Sequence, residues 1–281
     1  MPDARYDAVV VGGGHNGLCA AAYLARAGQT VGVFERRHEE AGAVHTSEAT
    51  VPGFWHNLHA QYMEFIDYMP FYHDFDLAGF GARLIKPEAQ VGIAFADGRP
   101  PIVIYTPDLE ERTRASIARY SKHDADVFTE IRRKVMAKDR ELAAILYTPR
   151  DRDAVAAELG KLWSDLGFKP EDMQRSPKQL IDQLFESTEL RAVLYRQCLE
   201  WGADPHTGSG IGFVICVIWF CGIHYMVVGG THMLGHAMAS ACFHEGVDLR
   251  YSHPVRRILT EGGRATGLEL ADGRQIEAKI V

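Results

Sequence analysis

Three glycines and one acid carry the clearest chemistry in this sequence. Gly12, Gly14 and Gly17 form a Gly-x-Gly-x-x-Gly turn, and Glu35 follows Gly17 by 18 residues. Gly12 permits a tight turn, Gly14 lets the backbone approach a pyrophosphate, and Gly17 lets a helix lie close to a strand. The phosphates of a ligand then face free N–H groups and the positive end of that helix. Glu35 is placed to accept hydrogen bonds from the ribose hydroxyls of adenosine.

The elements around these residues are in the order that such a site needs. A run of apolar β-formers, Ala8 to Val11, precedes the turn, and an Ala- and Leu-rich helix runs from it to Gly28. A second strand, Thr30 to Phe34, ends immediately before Glu35. Strand, glycines, helix, strand and acid in this order predict a βαβ unit that binds an ADP moiety. The predicted fold class is therefore α/β, with a Rossmann-like domain.

The segment after this acid extends the expected site. Gly42 and Ala43 belong to a run of small residues, which lets the backbone approach the same dinucleotide from its other side. Arg36 and Arg37 have two interpretations, contact with phosphate or an exposed basic turn, and the sequence leaves both open.

The last part of the chain returns to a nucleotide-binding pattern. Gly229 and Gly230 open a helix that runs to His244, and a strand follows from Val247 to Tyr251. We expect this part to be a second piece of the same domain, separated from the first by about 150 residues of insertion. Three further strands form a predicted antiparallel meander: Val255 to Thr260, Ala265 to Leu270 and Gln275 to Val281.

The insertion between the two pieces is predicted to be largely helical. Helices are expected at Asp108–Tyr120, at His123–Leu146 and from Ser187 to Trp201, with only short helices between Tyr147 and Ser176. Glycine and histidine interrupt the apolar stretch Ile211–Val228, which also lacks a basic flank. We therefore predict a buried helix or tunnel wall there and no transmembrane segment. Four aromatic residues are expected to line an apolar cavity or to form plain core: Phe213, Trp219, Phe220 and Tyr225.

Composition limits the class of protein. The chain has 281 residues, enough for two domains, and its 47% hydrophobic and 24% charged residues are ordinary for a globular protein. A formal net charge of −7 argues against a nucleic-acid binder. Five scattered cysteines without a Cys-x-x-Cys pair suit reduced thiols in a cytoplasm. The short stretch before the first strand leaves no room for a signal peptide, so a cytoplasmic protein is expected.

In these motifs the chain resembles the phytoene-desaturase-like branch of the FAD-dependent oxidoreductases, relatives of the flavin amine oxidases. The run GGGHNGL matches the start of the family's FAD site, and Glu35, Gly42 and Ala43 match its continuation. His15 and Asn16 are more typical of this branch than of nicotinamide-binding dehydrogenases. The resemblance implies FAD as the cofactor, held by a glutathione-reductase-like domain of the second subtype.

The resemblance also places later residues at the cofactor. Val255 matches the position whose backbone meets the adenine, and the segment WHNLHAQY, with His56, His59 and Ala60, enters the region beside the isoalloxazine. A polar ring there can hydrogen-bond the flavin or the substrate, and ordinary partly buried histidines are the alternative. The expected cofactor-binding residues are Gly12, Gly14, His15, Asn16, Gly17, Glu35, Arg36, Arg37, Gly42, Ala43, His59, Ala60 and Val255.

Two other chemistries have weaker support. His232 and His236 are spaced i, i+4 on a predicted helix, which can place two metal ligands on one face. No His-Glu-x-x-His pattern accompanies them and the helix is expected at the cofactor, so no metal site is assigned. The sequence has no nucleophile-elbow motif for Ser/His/Asp chemistry, and no side chain is assigned as a catalytic base.

The chain departs from the family pattern at two places. Ala41 stands where the first glycine of a Gly-Gly-Ala motif is expected, and its added methyl weakens the case for pyrophosphate binding without excluding it. The resemblance also implies that Val281 falls near the family's midpoint, before the rest of the substrate domain and a last Gly-Asp cofactor segment. We therefore expect a second polypeptide that completes the fold in a hetero-oligomer, with a shortened chain as the alternative.

These observations favour an FAD-dependent oxidoreductase subunit that oxidises or desaturates an apolar or aromatic substrate by hydride transfer to flavin. A non-catalytic subunit that holds FAD is one alternative, and an NAD-dependent dehydrogenase is another. The expected domains are a discontinuous FAD-binding domain, residues 1–70 and 226–281, and an inserted substrate domain, residues 71–225.

Overall fold

The computed structural model describes residues 4–147, 151–207 and 209–281. Contacts within the chain form two units, which are described separately. The first unit contains residues up to Ile85 together with Met226–Val281, and the second unit is Lys86–Tyr225. The boundary expected at residue 71 falls inside the first unit, because residues 71–85 make their contacts there.

The described residues form short and long strands, numbered in chain order. They are β1 (Ala4–Val11), β2 (Val31–Phe34), β3 (Thr46–Ser47), β4 (His56–Asn57), β5 (Met63–Glu64), β6 (Leu84–Ile85), β7 (Ala89–Ile93), β8 (Ile102–Tyr105), β9 (His224–Val227), β10 (Asp248–Arg250), β11 (Val255–Glu261), β12 (Arg264–Leu270) and β13 (Gln275–Ile280).

The α-helices are numbered in the same way. They are α1 (His15–Arg26), α2 (Pro70–Asp74), α3 (Glu110–Ala118), α4 (Lys122–Met136), α5 (Asp139–Tyr147), α6 (Arg152–Asp165), α7 (Pro177–Leu184), α8 (Thr188–Glu200), α9 (Gly210–Gly212) and α10 (His232–His244). Shorter helical turns of the 3₁₀ type lie at Ile66–Tyr68, Pro107–Leu109, Pro170–Gln174 and Phe220–Gly222, and a π-helical segment lies at Phe213–Trp219.

A six-stranded sheet in the order β10-β2-β1-β13-β12-β11 organises the first unit. β1 is parallel to β2, with Ala8 opposite Val31, and β10 is parallel to β2 on its other side. β13 is parallel to β1. Because β10, β2 and β1 run in the same direction, their carboxyl ends meet at one edge, where ligands of such sheets bind. The predicted βαβ unit is confirmed, with β1 beginning four residues earlier than expected.

Two helices of the first unit pack against each other. Leu18, Ala21 and Ala22 form the buried face of α1, and small residues let α10 come close to it. Cys242 of α10 donates its thiol hydrogen to the backbone oxygen of Leu18, at 3.2 Å. On α10, the residues buried from solvent are Leu234, Gly235, Ala237, Met238, Ala239, Ala241 and Cys242.

The meander predicted at the end of the chain is confirmed as strands β11, β12 and β13. β12 is antiparallel to both of its neighbours. Its side chains join those of the parallel strands in one buried cluster, so the meander contributes to the same core as the βαβ unit. The buried members of that cluster are Val9, Phe34, Leu268, Leu270, Ile276 and Ala278.

The second unit is mostly helical, with the β7–β8 hairpin as its antiparallel sheet. A buried carboxylate, Asp124 of α4, ties two of its segments together. Its oxygens accept hydrogen bonds from the backbone N–H of Glu186, at 2.8 Å, and of Ser187, at 2.9 Å. The carboxylate thereby fixes the start of α8 against α4.

Three expectations for the insertion differ from the structure. The single helix expected over 123–146 is two helices, α4 and α5, separated at residues 137 and 138. In the region expected to hold only short helices, α6 has 14 residues, because Asp151 caps its start by accepting from Ala154 N–H. Residues 148–150 of that region lie outside the described residues.

The apolar stretch 211–228 is also only partly helical. It begins with the end of α9, continues through a π-helical segment and a 3₁₀ turn, and then forms strand β9. Phe213, Trp219 and Phe220 are buried in the second unit. None of the helices in the described residues combines the length and the apolar character that crossing a bilayer requires.

Candidate functional site

The glycine turn after β1 has the backbone geometry that a phosphate site needs. Gly12 has a φ of +97°, which favours glycine. A Cβ on Gly17 would lie 2.4 Å from the backbone oxygen of Gly12, so only glycine lets α1 start this close to the strand. A Cβ on Gly14 would meet no atom within 4 Å, which leaves open space beside this backbone.

The first turn of α1 leaves its N–H groups available for an anion. Gly14 is the N-cap residue, no side chain caps the helix, and no acidic residue lies in its first turn. His15 and Asn16, the first helical residues, are at least partly exposed. An N-terminus of this kind attracts negative charge through its free N–H groups and the helix dipole.

Glu35 holds the glycine turn from the end of β2. One carboxylate oxygen, Oε2, accepts a hydrogen bond from Gly13 N–H at 2.7 Å, and Oε1 accepts from Arg37 N–H at 2.8 Å. Each carboxylate oxygen has a second lone pair, so Glu35 keeps acceptor capacity for a ribose hydroxyl. The residue predicted to bind ribose therefore also orders the turn.

A cleft of about 330 Å³ lies at this edge of the sheet. Every residue that lines it is one that the sequence marked as cofactor-binding: Glu35, Arg36, Arg37, Gly42, Ala43 and His59. Arg36 and Arg37 thus face a cleft, which favours contact with a ligand over the interpretation as a free basic turn.

The segment that leads to Val255 is attached to the same edge. His253 N–H donates to the backbone oxygen of Glu35 at 2.8 Å, and Ser252 N–H donates to that of Arg37 at 2.8 Å. Val255 follows at the start of β11 and packs on the buried cluster of the sheet. The structure therefore brings the distant residue Val255 to the turn that follows β2.

Ala41 occupies the position at which the family pattern has glycine, and its backbone is strained. Its φ is +76°, and its side chain is fully buried. Ala41 N–H donates to the backbone oxygen of Gly13 at 2.8 Å, which joins this loop to the glycine turn. A Cβ on Gly235 of α10 would lie 2.1 Å from the Cβ of Ala41, so the glycine on α10 makes room for the alanine.

A polar network that sequence reasoning missed lies beside the start of α10. Asn57 Oδ1 accepts from Thr46 Oγ1 at 2.7 Å and from Thr231 N–H at 3.0 Å. Thr46 Oγ1 in turn accepts from His232 N–H at 3.0 Å. No sequence pattern pointed to this network, because its members come from segments that are far apart in the chain.

This network fixes one end of the loop that carries His59 and Ala60. Ala60 N–H donates to the backbone oxygen of Ala43 at 3.4 Å, which fixes the other end. His56, by contrast, pairs with Thr50 at 2.8 Å and is not among the residues that line the cleft. Of the two histidines in this segment, His59 is therefore the one that the structure brings to the cleft.

Beside the start of α10 also lies a group of histidines and glutamates. The rings of His232 and His236 are 4.1 Å apart, and His236 Nδ1 contacts Glu40 Oε1. Burial, followed by the neighbouring His236, lowers the pKa of His232. Burial and the nearby Glu40 carboxylate raise the pKa of Tyr251.

Comparison with known proteins relates these motifs to named oxidoreductases. A family model described as an NAD(P)-binding Rossmann-like domain matches residues 10–75. A limonene dehydrogenase subunit of Castellaniella defragrans is 36% identical over 270 residues, which cover 94% of this chain and 48% of that protein. Hydroxyneurosporene desaturase of Cereibacter sphaeroides is 29% identical over 284 residues, which cover 96% of this chain and 54% of that protein.

The resemblance to the phytoene-desaturase-like oxidoreductases is confirmed. A solved structure of a putrescine oxidase variant has the same fold, with a TM-score of 0.59 and 19% identity over 99% of this chain and 57% of that one. The α/β, Rossmann-like fold class is confirmed by the sheet and by this likeness. The chain spans about half the length of the curated relatives it matches.

Proposed function

We propose that the chain binds FAD and forms part of an oxidoreductase that oxidises or desaturates an apolar or aromatic substrate. The observation that carries the proposal is the cleft beside the glycine turn, which is lined throughout by expected cofactor-binding residues. The named relatives support the reaction class, since one is a dehydrogenase subunit and another a desaturase.

The residues present fit a dinucleotide that contains ADP. The backbone at Gly14 and the first turn of α1 would receive the pyrophosphate, because no side chain caps that end of the helix. Glu35 would accept from the ribose, and the segment before Val255 would lie against the adenine. His59 and Ala60 would border the cofactor opposite the glycine turn. Their loop is held there because Ala60 N–H donates to the backbone oxygen of Ala43.

When bound, FAD supplies the hydride acceptor, and the protein contributes binding, orientation and exclusion of water. Glu35 and the two arginines of the cleft would orient the adenosine end. The Thr46, Asn57 and Thr231 network would hold the loop of His59 in place. No side chain is assigned as a catalytic base.

We also propose that a second polypeptide completes the enzyme and that the second unit, Lys86–Tyr225, which makes up most of the predicted span 71–225, forms its substrate domain. The relative named as a subunit supports the first proposal, and so does the match to about half of each relative's length. Native mass spectrometry of the complex isolated from its source tests it. A second chain that co-elutes and is required for activity is the expected result, whereas full activity of the 31.3 kDa chain alone contradicts it.

An NAD-dependent dehydrogenase is the second candidate, because the matching family model is described as NAD(P)-binding. Chromatography of the nucleotide released by heat from the purified protein separates the two candidates. We expect a flavin dinucleotide, and release of a nicotinamide dinucleotide would contradict the proposal.

The substitution Glu35→Ala tests where the nucleotide binds. It should weaken FAD binding by about 1–3 kcal/mol, the effect of removing a charge-assisted hydrogen bond. Glu261→Ala, an exposed acid at the end of β11, is the matched control and should leave the Kd unchanged. Equal affinities for all three proteins in a fluorescence titration would place the nucleotide elsewhere.

A further inference from the structure

The histidine and glutamate group beside α10 is separate from the cleft residues. Glu39 and Glu40 precede the loop that carries His45, and His232 and His236 lie on the first turns of α10. None of these five residues is among those that line the cleft next to Glu35. The group therefore needs an explanation other than contact with the nucleotide in that cleft.

Three of its side chains bring possible metal ligands close together. One ligand atom from each of Glu40, His232 and His236 lies within 4.8 Å of the others. Ligands of one Zn²⁺ ion lie at most about 4 Å apart, because each bond is about 2.1 Å long. A small rotation of the side chains closes that difference. Since α10 has 13 residues, its i, i+4 pair sits on a full helix.

In this set His232 Nδ1 lacks a hydrogen-bond partner, while the buried Glu40 carboxylate contacts His236 and Tyr251. Nδ1 of His232 is buried and makes no hydrogen bond within the described residues. Glu40 is only 8% exposed, and its ion-pair partner in the described part of the chain is the His236 ring. A buried carboxylate needs a positive charge, and a buried ring nitrogen needs a donor or a cation. One divalent ion satisfies both groups.

We propose that Glu40, His232 and His236 bind a divalent transition metal ion of the Zn²⁺, Co²⁺ or Ni²⁺ class. Two imidazoles and one carboxylate suit these ions, whereas Ca²⁺ and Mg²⁺ prefer oxygen ligands alone. His236 has a half-exposed side chain, which gives the ion access from solvent. The ion would link the loop before Ala41 to α10 and so stabilise the first unit.

The test uses the untagged full chain after treatment with a chelator. Zn²⁺ should raise its unfolding temperature, and Co²⁺ should bind with one equivalent and develop visible absorption typical of mixed nitrogen and oxygen ligands. Loss of any one ligand should lower the Co²⁺ affinity by at least about tenfold, because even mutating a residue that only hydrogen-bonds a ligand has an effect of that size. The variants that test this are Glu40→Gln, His232→Gln and His236→Gln. His244→Gln, exposed at the other end of α10, is the control and should bind as the native chain does.

Several results would overturn the proposal. One is a native chain without Co²⁺ absorption and without a Zn²⁺-dependent rise in unfolding temperature. Another is an equal loss of affinity in the His244→Gln control, which would indicate unspecific binding to surface histidines. Loss in His45→Gln with full binding in His236→Gln would reject the ligands proposed. Because His236 is half-exposed, its variant should fold, and the metal-free unfolding temperature verifies this.

Discussion

The two units fix their turns by different means. In the first unit, backbone packs directly against backbone. An example is Gly17, where a Cβ would lie 2.4 Å from the backbone oxygen of Gly12. In the second unit, the buried carboxylate of Asp124 holds the start of α8 through two backbone N–H groups. The difference shows how a ligand site constrains a fold. A side chain also contributes in the first unit, since Glu35 accepts a hydrogen bond from Gly13 N–H, but no side chain caps the first turn of α1, whose N–H groups stay available for a phosphate.

The largest effect is expected where backbones touch. Gly17→Ala would place a Cβ 2.4 Å from Gly12 O and 3.1 Å from a methyl carbon of Val10. The helix must then move away from the strand, and we expect a loss of about 3 kcal/mol in the free energy of unfolding. Nucleotide binding should be lost as well. Urea denaturation and a fluorescence titration measure the two effects.

Gly14→Ala is the matched comparison in the same turn. Gly14 has a φ of −72°, which alanine tolerates, and its Cβ would meet no protein atom within 4 Å. The free energy of unfolding should therefore change by less than about 0.5 kcal/mol, while the methyl obstructs the approach of the pyrophosphate. Native affinity for FAD in Gly14→Ala would contradict the placement of the phosphates.

In the second unit, removal of the Asp124 carboxylate should lower the free energy of unfolding. Asp124→Ala leaves the N–H groups of Glu186 and Ser187 without their acceptor, and Asp124 is fully buried. We expect the free energy of unfolding to fall by about 3 kcal/mol, because each unsatisfied buried group costs about 1–3 kcal/mol. Nucleotide affinity at temperatures where the variant is folded should stay unchanged.

Asp126→Ala on the same helix is the control. Asp126 pairs with Arg114, but both side chains are largely exposed. An exposed ion pair contributes about 0–1 kcal/mol, so this variant should unfold almost as the native chain does. If Asp124→Ala and Asp126→Ala unfold at the same urea concentration, the buried carboxylate does not hold α8 in the way described.

A smaller effect than at Gly17 or Asp124 is expected at the contact of Ala41 with Gly235. Gly235→Ala would bring two Cβ atoms to 2.1 Å and should destabilise the chain by about 2 kcal/mol. In the Ala41→Gly background the nearest atom is the Cα at 3.4 Å, so the same substitution should cost much less. A double-mutant cycle should give a coupling energy of about 1–2 kcal/mol. Additive effects would show that the two residues do not compete for space.

Ala41→Gly alone should change stability little. It relieves a left-handed backbone that costs an alanine about 1–2 kcal/mol. It also removes a buried methyl group, worth about 0.8 kcal/mol, and adds the entropy of glycine to the unfolded chain. Differential scanning calorimetry of the single variant measures the balance. A large change in unfolding temperature in either direction would mean that one of these contributions dominates.

Local sequence patterns were sufficient to predict the βαβ unit, the glycine turn, the acid at the end of β2 and the closing meander. These features follow rules of glycine spacing, strand alternation and helix periodicity, and each rule acts within a few tens of residues. Five of the six residues that line the cleft come from one short stretch after β2, residues 35–43, whereas the family resemblance, and no local pattern, pointed to His59. Helix boundaries in the insertion were less accurate, because a cap such as Asp151 decides them.

Contacts between residues far apart in the chain became visible only in the folded structure. Ala41 and Gly235, Asn57 and Thr231, and Glu40 and His236 each join the segment after β2 to the start of α10 across more than 170 residues. No periodicity links such positions, because their contacts depend on where the tertiary structure places the two segments. The strain at Ala41 and the position of Glu40 beside His236 therefore emerged only from the fold, whereas the spacing of His232 and His236 was visible in the sequence.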